Sequence, residues 1–304
     1  MLPKAPPRVG QVGFLYLPPY RIQGISIAGE QTVVQVPELD LNFDIGLCPR
    51  IALAASYTAI SHGHMDHIAG LPYYFSQRMF QRMGVGTCLC HEKIAPAIER
   101  MMRGWVDLEQ QSTRHEVIGL APDEEFEIKN NIMLRAIEVS HTVPALGYSV
   151  IERRSKLREE FRDLPQEKLR ELKRAGTEIT RELQIPLIAY TGDTELGPYL
   201  YRDEFALAKV VVSECTFFED DHESRASVGK HMHVTDLAKL LETWQAEHIV
   251  LVHLSRRTNI VASREKLVEL VGEEQASRVH FLMDHRSARS RYERQLQDAE
   301  AHAS

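Results

Sequence analysis

The sequence predicts an α/β fold with a protruding helical arm, and three observations lead there. After a short antiparallel opening, β-rich runs alternate with amphipathic helical stretches. Histidines and carboxylates recur just past the ends of those runs. One highly charged segment, residues 151–184, interrupts the alternation. A chain of 304 residues with 43% hydrophobic and 26% charged residues can bury one large core. That core can be one sizeable domain or two similar halves; residues 1–304 are taken as a single domain carrying residues 151–184 as an inserted arm.

The opening strands come from "GISIAGEQTVVQVPELDLNFDIG", residues 24–46, where alternating apolar positions are broken by "AGE" and "PEL". From "YTAIS" onward, the runs "IMLRAIEV", "IPLIAYT", "AKVVVSEC" and "HIVLVHL" read as strands. "EKIAPAIERMMRGW" and "VTDLAKLLETWQAE" carry helical periodicity. The arm holds ten Lys or Arg against eight Asp or Glu, with apolar residues only at wide intervals, among them Leu157, Phe161, Leu169 and Leu172. That pattern predicts solvated helices, with Pro165 in a first turn and Gly176 as a C-terminal stop. The tail after Arg289 is polar and is expected to fray.

Composition narrows the functional classes. No apolar run approaches the roughly 18 residues of a membrane span, and "MLPKAPPRVG" has no signal-peptide core, so a cytoplasmic protein is expected. Four scattered cysteines, Cys48, Cys88, Cys90 and Cys215, form no disulfide framework; "TCLCHEK" reads as a strand end. The formal net charge is −7, so a polyanionic partner would have to meet a locally basic segment. The arm, with an excess of two positive charges, is the best such segment.

The chemistry concentrates in "SHGHMDH", residues 61–67. His62 and His64 are two apart and point the same way in an extended segment, while Asp66 and His67 follow where a helix can begin. Two ligand pairs in one loop suit two adjacent cations, unlike H-E-x-x-H, whose histidines hold one zinc. His141 follows "LRAIEVS", Asp193 follows "LIAYTG" and His253 follows "IVLV". Five histidines and two aspartates delivered by four strand ends to one rim can hold two zinc ions. His91, His115, His222, His248, His280 and His285 read as ordinary surface or hydrogen-bonded residues.

"SHGHMDH" matches the H-x-H-x-D-H signature of the metallo-β-lactamase superfamily. "VSHTVPALGY", "YTGDT", "SECTFF", "HMHVTD" and "VHLSRR" resemble later motifs of the tRNase Z family, in its short plant-like form, over about residues 23–258. The resemblance implies an αββα sandwich of two mixed sheets flanked by helices, and a zinc-dependent endoribonuclease that removes 3′ trailers from precursor tRNA. It further implies that His62, His64 and His141 hold one zinc, that Asp66, His67 and His253 hold the other, and that Asp193 bridges them. Asp66 would also accept the proton of the attacking water. Glu214 and His233 match the family's acid and histidine pair that assists the leaving oxygen, with His231 a competitor for the histidine. By the same likeness the protein is a homodimer whose arm grips tRNA, through cations such as Lys156, Arg158, Lys168, Lys173 and Arg174. Ser255 and Arg257 of "HLSRR" would touch substrate near the metals. Rival readings are another phosphodiesterase or small-ester hydrolase of the same fold, or a non-catalytic RNA-binding relative.

Overall fold

The computed structural model describes residues 2–7 and 11–302. Its first half runs β1 (Gly13–Leu17), β2 (Tyr20–Ile27), β3 (Gln31–Val36), β4 (Leu41–Phe43), β5 (Tyr57–Ala59), α1 (Met65–Ile68), α2 (Leu71–Phe80), β6 (Thr87–His91), α3 (Ala95–Glu109) and β7 (Glu116–Leu120). The second half runs β8 (Glu125–Lys129), β9 (Ile132–Val139), β10 (Ala145–Leu157), α4 (Gln166–Arg174), β11 (Thr180–Tyr190), α5 (Asp203–Ala206) and β12 (Val210–Glu214). It continues with α6 (Glu223–Gly229), α7 (Val234–Leu241), β13 (His248–Val252), α8 (Ile260–Ser277), β14 (Val279–Phe281) and α9 (His285–Ala301).

Each half makes one seven-stranded mixed sheet in which neighbouring strands are consecutive in the chain. In both sheets the first three pairings are antiparallel and the last three parallel. Residue alternation makes the layers. Val210 and Val212 of β12 and Val250 and Val252 of β13 face the other sheet, packing with Val34, Leu41, Leu89 and Tyr148. Their neighbours Val211, Ile249 and Leu251 face outward onto Phe205, Leu237, Leu241 and Trp244. On the other side Val33, Cys88 and Cys90 pack under Leu71, Phe75, Ile98 and Met102. The expected αββα sandwich is thus present. The two sheets are joined at one rim, where Ile27 bridges Leu254 and the Ala28 N–H donates to the Leu254 carbonyl at 3.0 Å.

Two expectations need correction. The arm is not a helical excursion throughout: β10 and β11 stay paired from Tyr148↔Tyr190 out to Leu157↔Thr180, so residues up to 157 and from 180 form a β-ribbon. β9 stops pairing at Glu152 and β12 reaches only Ile188, leaving the outer ribbon without neighbours. A strand exposed on both faces needs no apolar alternation, so its sequence carries no period-2 signal. Only its tip is helical, in α4 and a short 3-10 turn at Glu159–Phe161, and Gly176, at φ 81°, does end α4. The tail does not fray at Arg289 either, because α9 continues to Ala301. It packs on β1, with Tyr292 edge-on to Phe14 at 5.8 Å and the Gln295 amide donating to the Tyr16 carbonyl.

Candidate metal centre

The rim where the sheets meet collects what the sequence scattered. Ser61 and His62 follow β5, and His64 is the N-cap residue of α1, which places Asp66 and His67 in its single turn. His141 follows β9, Asp193 follows β11, and His253 follows β13. His62, His64 and His141 form one triad of converging ligand atoms; Asp66, His67 and His253 form a second. Asp193 Oδ2 lies between them, 3.8 Å from His62, 3.2 Å from His67 and 3.2 Å from His253.

Each ring is aimed by its other nitrogen. Asp44, at the end of β4, accepts from the Ser61 N–H at 2.6 Å, the Ser61 hydroxyl at 2.8 Å, His67 Nδ1 at 2.8 Å and the Tyr190 hydroxyl at 2.5 Å. With its hydrogen given to Asp44, Ser61 Oγ accepts from His62 Nδ1 at 2.9 Å. His253 Nδ1 donates to Thr216 Oγ1, whose own hydrogen goes to Glu214. His141 Nδ1 donates to the Lys230 carbonyl at 3.1 Å. Each of these four imidazoles thereby presents Nε2 to the site, as metal-binding histidines do. His64 instead turns Nδ1 inward, 3.0 Å from His62 Nε2 and 3.3 Å from His141 Nε2.

Those spacings fit a tetrahedral ion, since ligands about 2.05 Å from zinc lie about 3.3 Å from one another. Charge agrees with geometry. Asp44, Asp193 and Glu214 are buried and Asp66 is nearly so, yet among the described residues their ion-pair partners are histidines only, with no Lys or Arg. Burial raises the cost of charge on Asp66 and Asp193, but the facing histidines hold both well below the ordinary carboxylate range. Burial likewise opposes charge on His67, while Asp193 and Asp44 drive its pKa upward. His67 Nε2 is a buried nitrogen without a hydrogen-bond partner. Such a field calls for cations, and the donor set fits two zinc ions.

The acid and histidine pair differs from the expected one. Glu214, at the end of β12 and fully buried, meets His231 Nδ1 at 2.9 Å through Oε1 and also accepts the Thr194 N–H. His233 is elsewhere engaged: as N-cap residue of α7 its Nδ1 accepts from Thr235, and its Nε2 donates to the Glu219 carbonyl at 3.1 Å. One of its nitrogens serves the α7 cap and the other holds the loop at Glu219, so Glu214 pairs with His231 and not with the expected His233. The His231 ring stands between His141 and His253, with centroids 5.0 and 5.1 Å away. Burial opposes its charge, but the Glu214 carboxylate raises its pKa to about 9.

Of the expected substrate contacts, Arg257 is exposed and Ser255 half-buried on the loop just past His253. Lys156, Lys173 and Arg174 are exposed on the arm with no ion pair among the described residues, whereas Arg158 pairs with Glu178 and Lys168 with Glu171. The arm is therefore not brought together with the metal ligands. Asp44, Ser61, Thr216 and Lys230 went unnoticed in the sequence. Asp44 alone carried a signal there, being one more carboxylate just past an apolar strand, "LNF".

Comparison with known proteins bears on family and fold. Residues 52–254 match the family model described as "Beta-lactamase superfamily domain". The chain is similar to tRNase Z TRZ1 of Arabidopsis thaliana, at 33% identity over 79% of this chain and 87% of that protein. It is 32% identical to the chloroplastic tRNase Z TRZ2 of the same plant, over 83% of this chain and 72% of that protein. The short form of human tRNase Z superposes with a TM-score of 0.56 at 16% identity, covering 89% of this chain and 95% of that one, a likeness of fold.

Proposed function

We propose that this chain, which belongs to the tRNase Z family of the β-lactamase superfamily, is an endoribonuclease that cuts precursor tRNA to remove its 3′ trailer. The observation that carries the reading is the Glu214–His231 pair standing beside two metal-ligand triads. Hydrolysis of a phosphodiester needs an attacking water, neutralised phosphoryl oxygens and a protonated leaving oxygen. Two zinc ions, when bound, supply the first two by lowering the pKa of water and offsetting phosphoryl charge.

The chain supplies the rest. Asp66 Oδ2, held by the Gly29 N–H at 2.9 Å, is fixed where it can accept a proton. His231 donates Nδ1–H to Glu214, and its Nε2 has no hydrogen-bond partner among the described residues, so it is free to protonate the tRNA 3′-oxygen as that bond breaks. Glu214, anchored by Thr194 and Thr216, keeps the ring oriented and its protonated form favoured. The products are a tRNA ending in a 3′-hydroxyl and a trailer beginning with a 5′-phosphate. The basic arm suits the tRNA body, in a homodimer that offers the acceptor end to one rim, and Ser255 and Arg257 suit phosphates beside it.

Incubating the zinc-loaded protein with an intact precursor tRNA tests this. One endonucleolytic cut at the 3′ end of the acceptor stem, where the trailer begins, with those two ends, is the expected result. Cleavage confined to small diesters or esters would overturn it.

A further inference from the structure

Away from the metal rim, α9 closes the edge where β1 of one sheet and β14 of the other come together. A cavity of about 340 Å³ lies there, with Arg264, Arg286, Arg291, Arg294, His280 and Phe281 among its lining residues. No Asp or Glu lines it. Ser287, Ser290, Arg291 and Arg294 are spaced 3, 1 and 3 along α9, so one helical face carries hydroxyls and guanidiniums together. Ser287, Ser290 and Arg294 are exposed and Arg291 is partly buried, so this face borders the cavity at the protein surface.

One of the four arginines is accounted for: Arg264 pairs with Asp284 at 2.9 Å and its guanidinium lies 5.2 Å from the centre of the Phe281 ring. Arg286, Arg291 and Arg294 have no ion pair among the described residues. Arg291 is partly buried, and its Nε is a fully buried nitrogen with no hydrogen-bond partner. Burial and the charge of Arg294 both act against its protonated form. Three guanidiniums without an ion pair among the described residues, one of them partly buried, make one concave surface locally positive and suited to an anion. The planar fork of Arg suits phosphate oxygens.

We propose that this cavity binds a small phosphomonoester, its phosphate held by Arg286, Arg291 and Arg294 and its remainder lying against the apolar wall of Leu15, Val279 and Phe281. The volume falls in the range of small-ligand pockets. Nothing in phosphodiester hydrolysis at the metal rim uses these residues.

Adenosine 5′-monophosphate titrated calorimetrically into the zinc-loaded full chain is the probe. Wild type should show a binding component that weakens at least tenfold in Arg286→Gln/Arg294→Gln, a double variant whose sites are exposed and compatible with folding. Arg291→Gln should do the same, while hydrolysis of bis-p-nitrophenyl phosphate stays at the wild-type rate in both. Titrations of wild type and double variant that superimpose would overturn the proposal, because a component that persists unchanged belongs to the metal centre. So would a raised KM for precursor tRNA in the double variant with no nucleotide component in wild type, which would assign the arginines to RNA.

Discussion

Strands β10 and β11 carry two opposite kinds of surface. At one end they run into the rim, where Tyr148 and Tyr190 are buried, Tyr190 bonds Asp44, and Asp193 stands between the two ligand triads. At the other end the same pair leaves the sheet as a ribbon whose cations are mostly exposed. Between them lies a charged root, in which Arg135 bonds Glu125, Glu204 and Gln184, and Arg153 pairs with Glu125. Chemistry at a phosphorus atom requires groups fixed before substrate arrives, whereas attraction of a large polyanion requires only net charge and reach. Rigidity is concentrated at one end of the strands and solvation kept at the other.

If that division holds, changes at the rim should reduce turnover on every substrate and changes in the arm should reduce affinity for RNA alone. The largest effect expected is from Asp66→Ala, which removes a ligand and a proton acceptor; cleavage should fall by about 10³-fold or more with the circular dichroism spectrum unchanged. A variant cutting precursor tRNA at the wild-type single-turnover rate would contradict the site.

Next comes the contrast of two neighbouring histidines. His231→Ala should slow single-turnover cleavage by about 10²-fold, the scale of one general acid. His233→Ala should leave the rate within a few-fold of wild type and instead lower stability by about 1 kcal/mol through loss of the α7 cap, read from a denaturant midpoint. The reverse ranking would restore His233 as proton donor.

A smaller effect belongs to the arm. Replacing residues 155–182 with a short Gly-Ser turn should raise KM for precursor tRNA by about tenfold. Its logarithmic salt dependence should become shallower by a slope of roughly 0.7 to 0.9 for every RNA phosphate that the arm had neutralised. Hydrolysis of bis-p-nitrophenyl phosphate should stay as it was. Equal losses on both substrates would show that the ribbon supports the rim.

The root between them should respond to acid. Burial disfavours charge on Glu204, but hydrogen bonds from Arg202 and Arg135 bring its pKa down to about 2. A carboxyl held below its ordinary pKa of 4.5 contributes stability that is complete above that value and lost as pH falls toward 2. Glu204→Gln should therefore lower the melting temperature slightly at pH 7 and flatten its decline between about pH 4.5 and 2. An unchanged acid profile would remove this network from the account.

These contrasts mirror what the sequence made legible. Ligands at strand ends announced themselves because strong apolar runs such as "IVLV" mark a strand unambiguously and the next polar residue falls on the rim. Choosing between His231 and His233 was beyond the sequence, because both flank the buried Met232 and only the path of the chain into α7 decides which ring serves as a cap. The ribbon was illegible for a related reason: its charges at spacings of three and four imitate a helix, and no buried face imposes a period of two.

The central claim is that seven side chains form one two-metal centre, and the metal content of the purified chain tests it most directly. After zinc supplementation and removal of free ion, inductively coupled plasma mass spectrometry should find close to two zinc ions per chain. A value below about one would contradict the two-metal site.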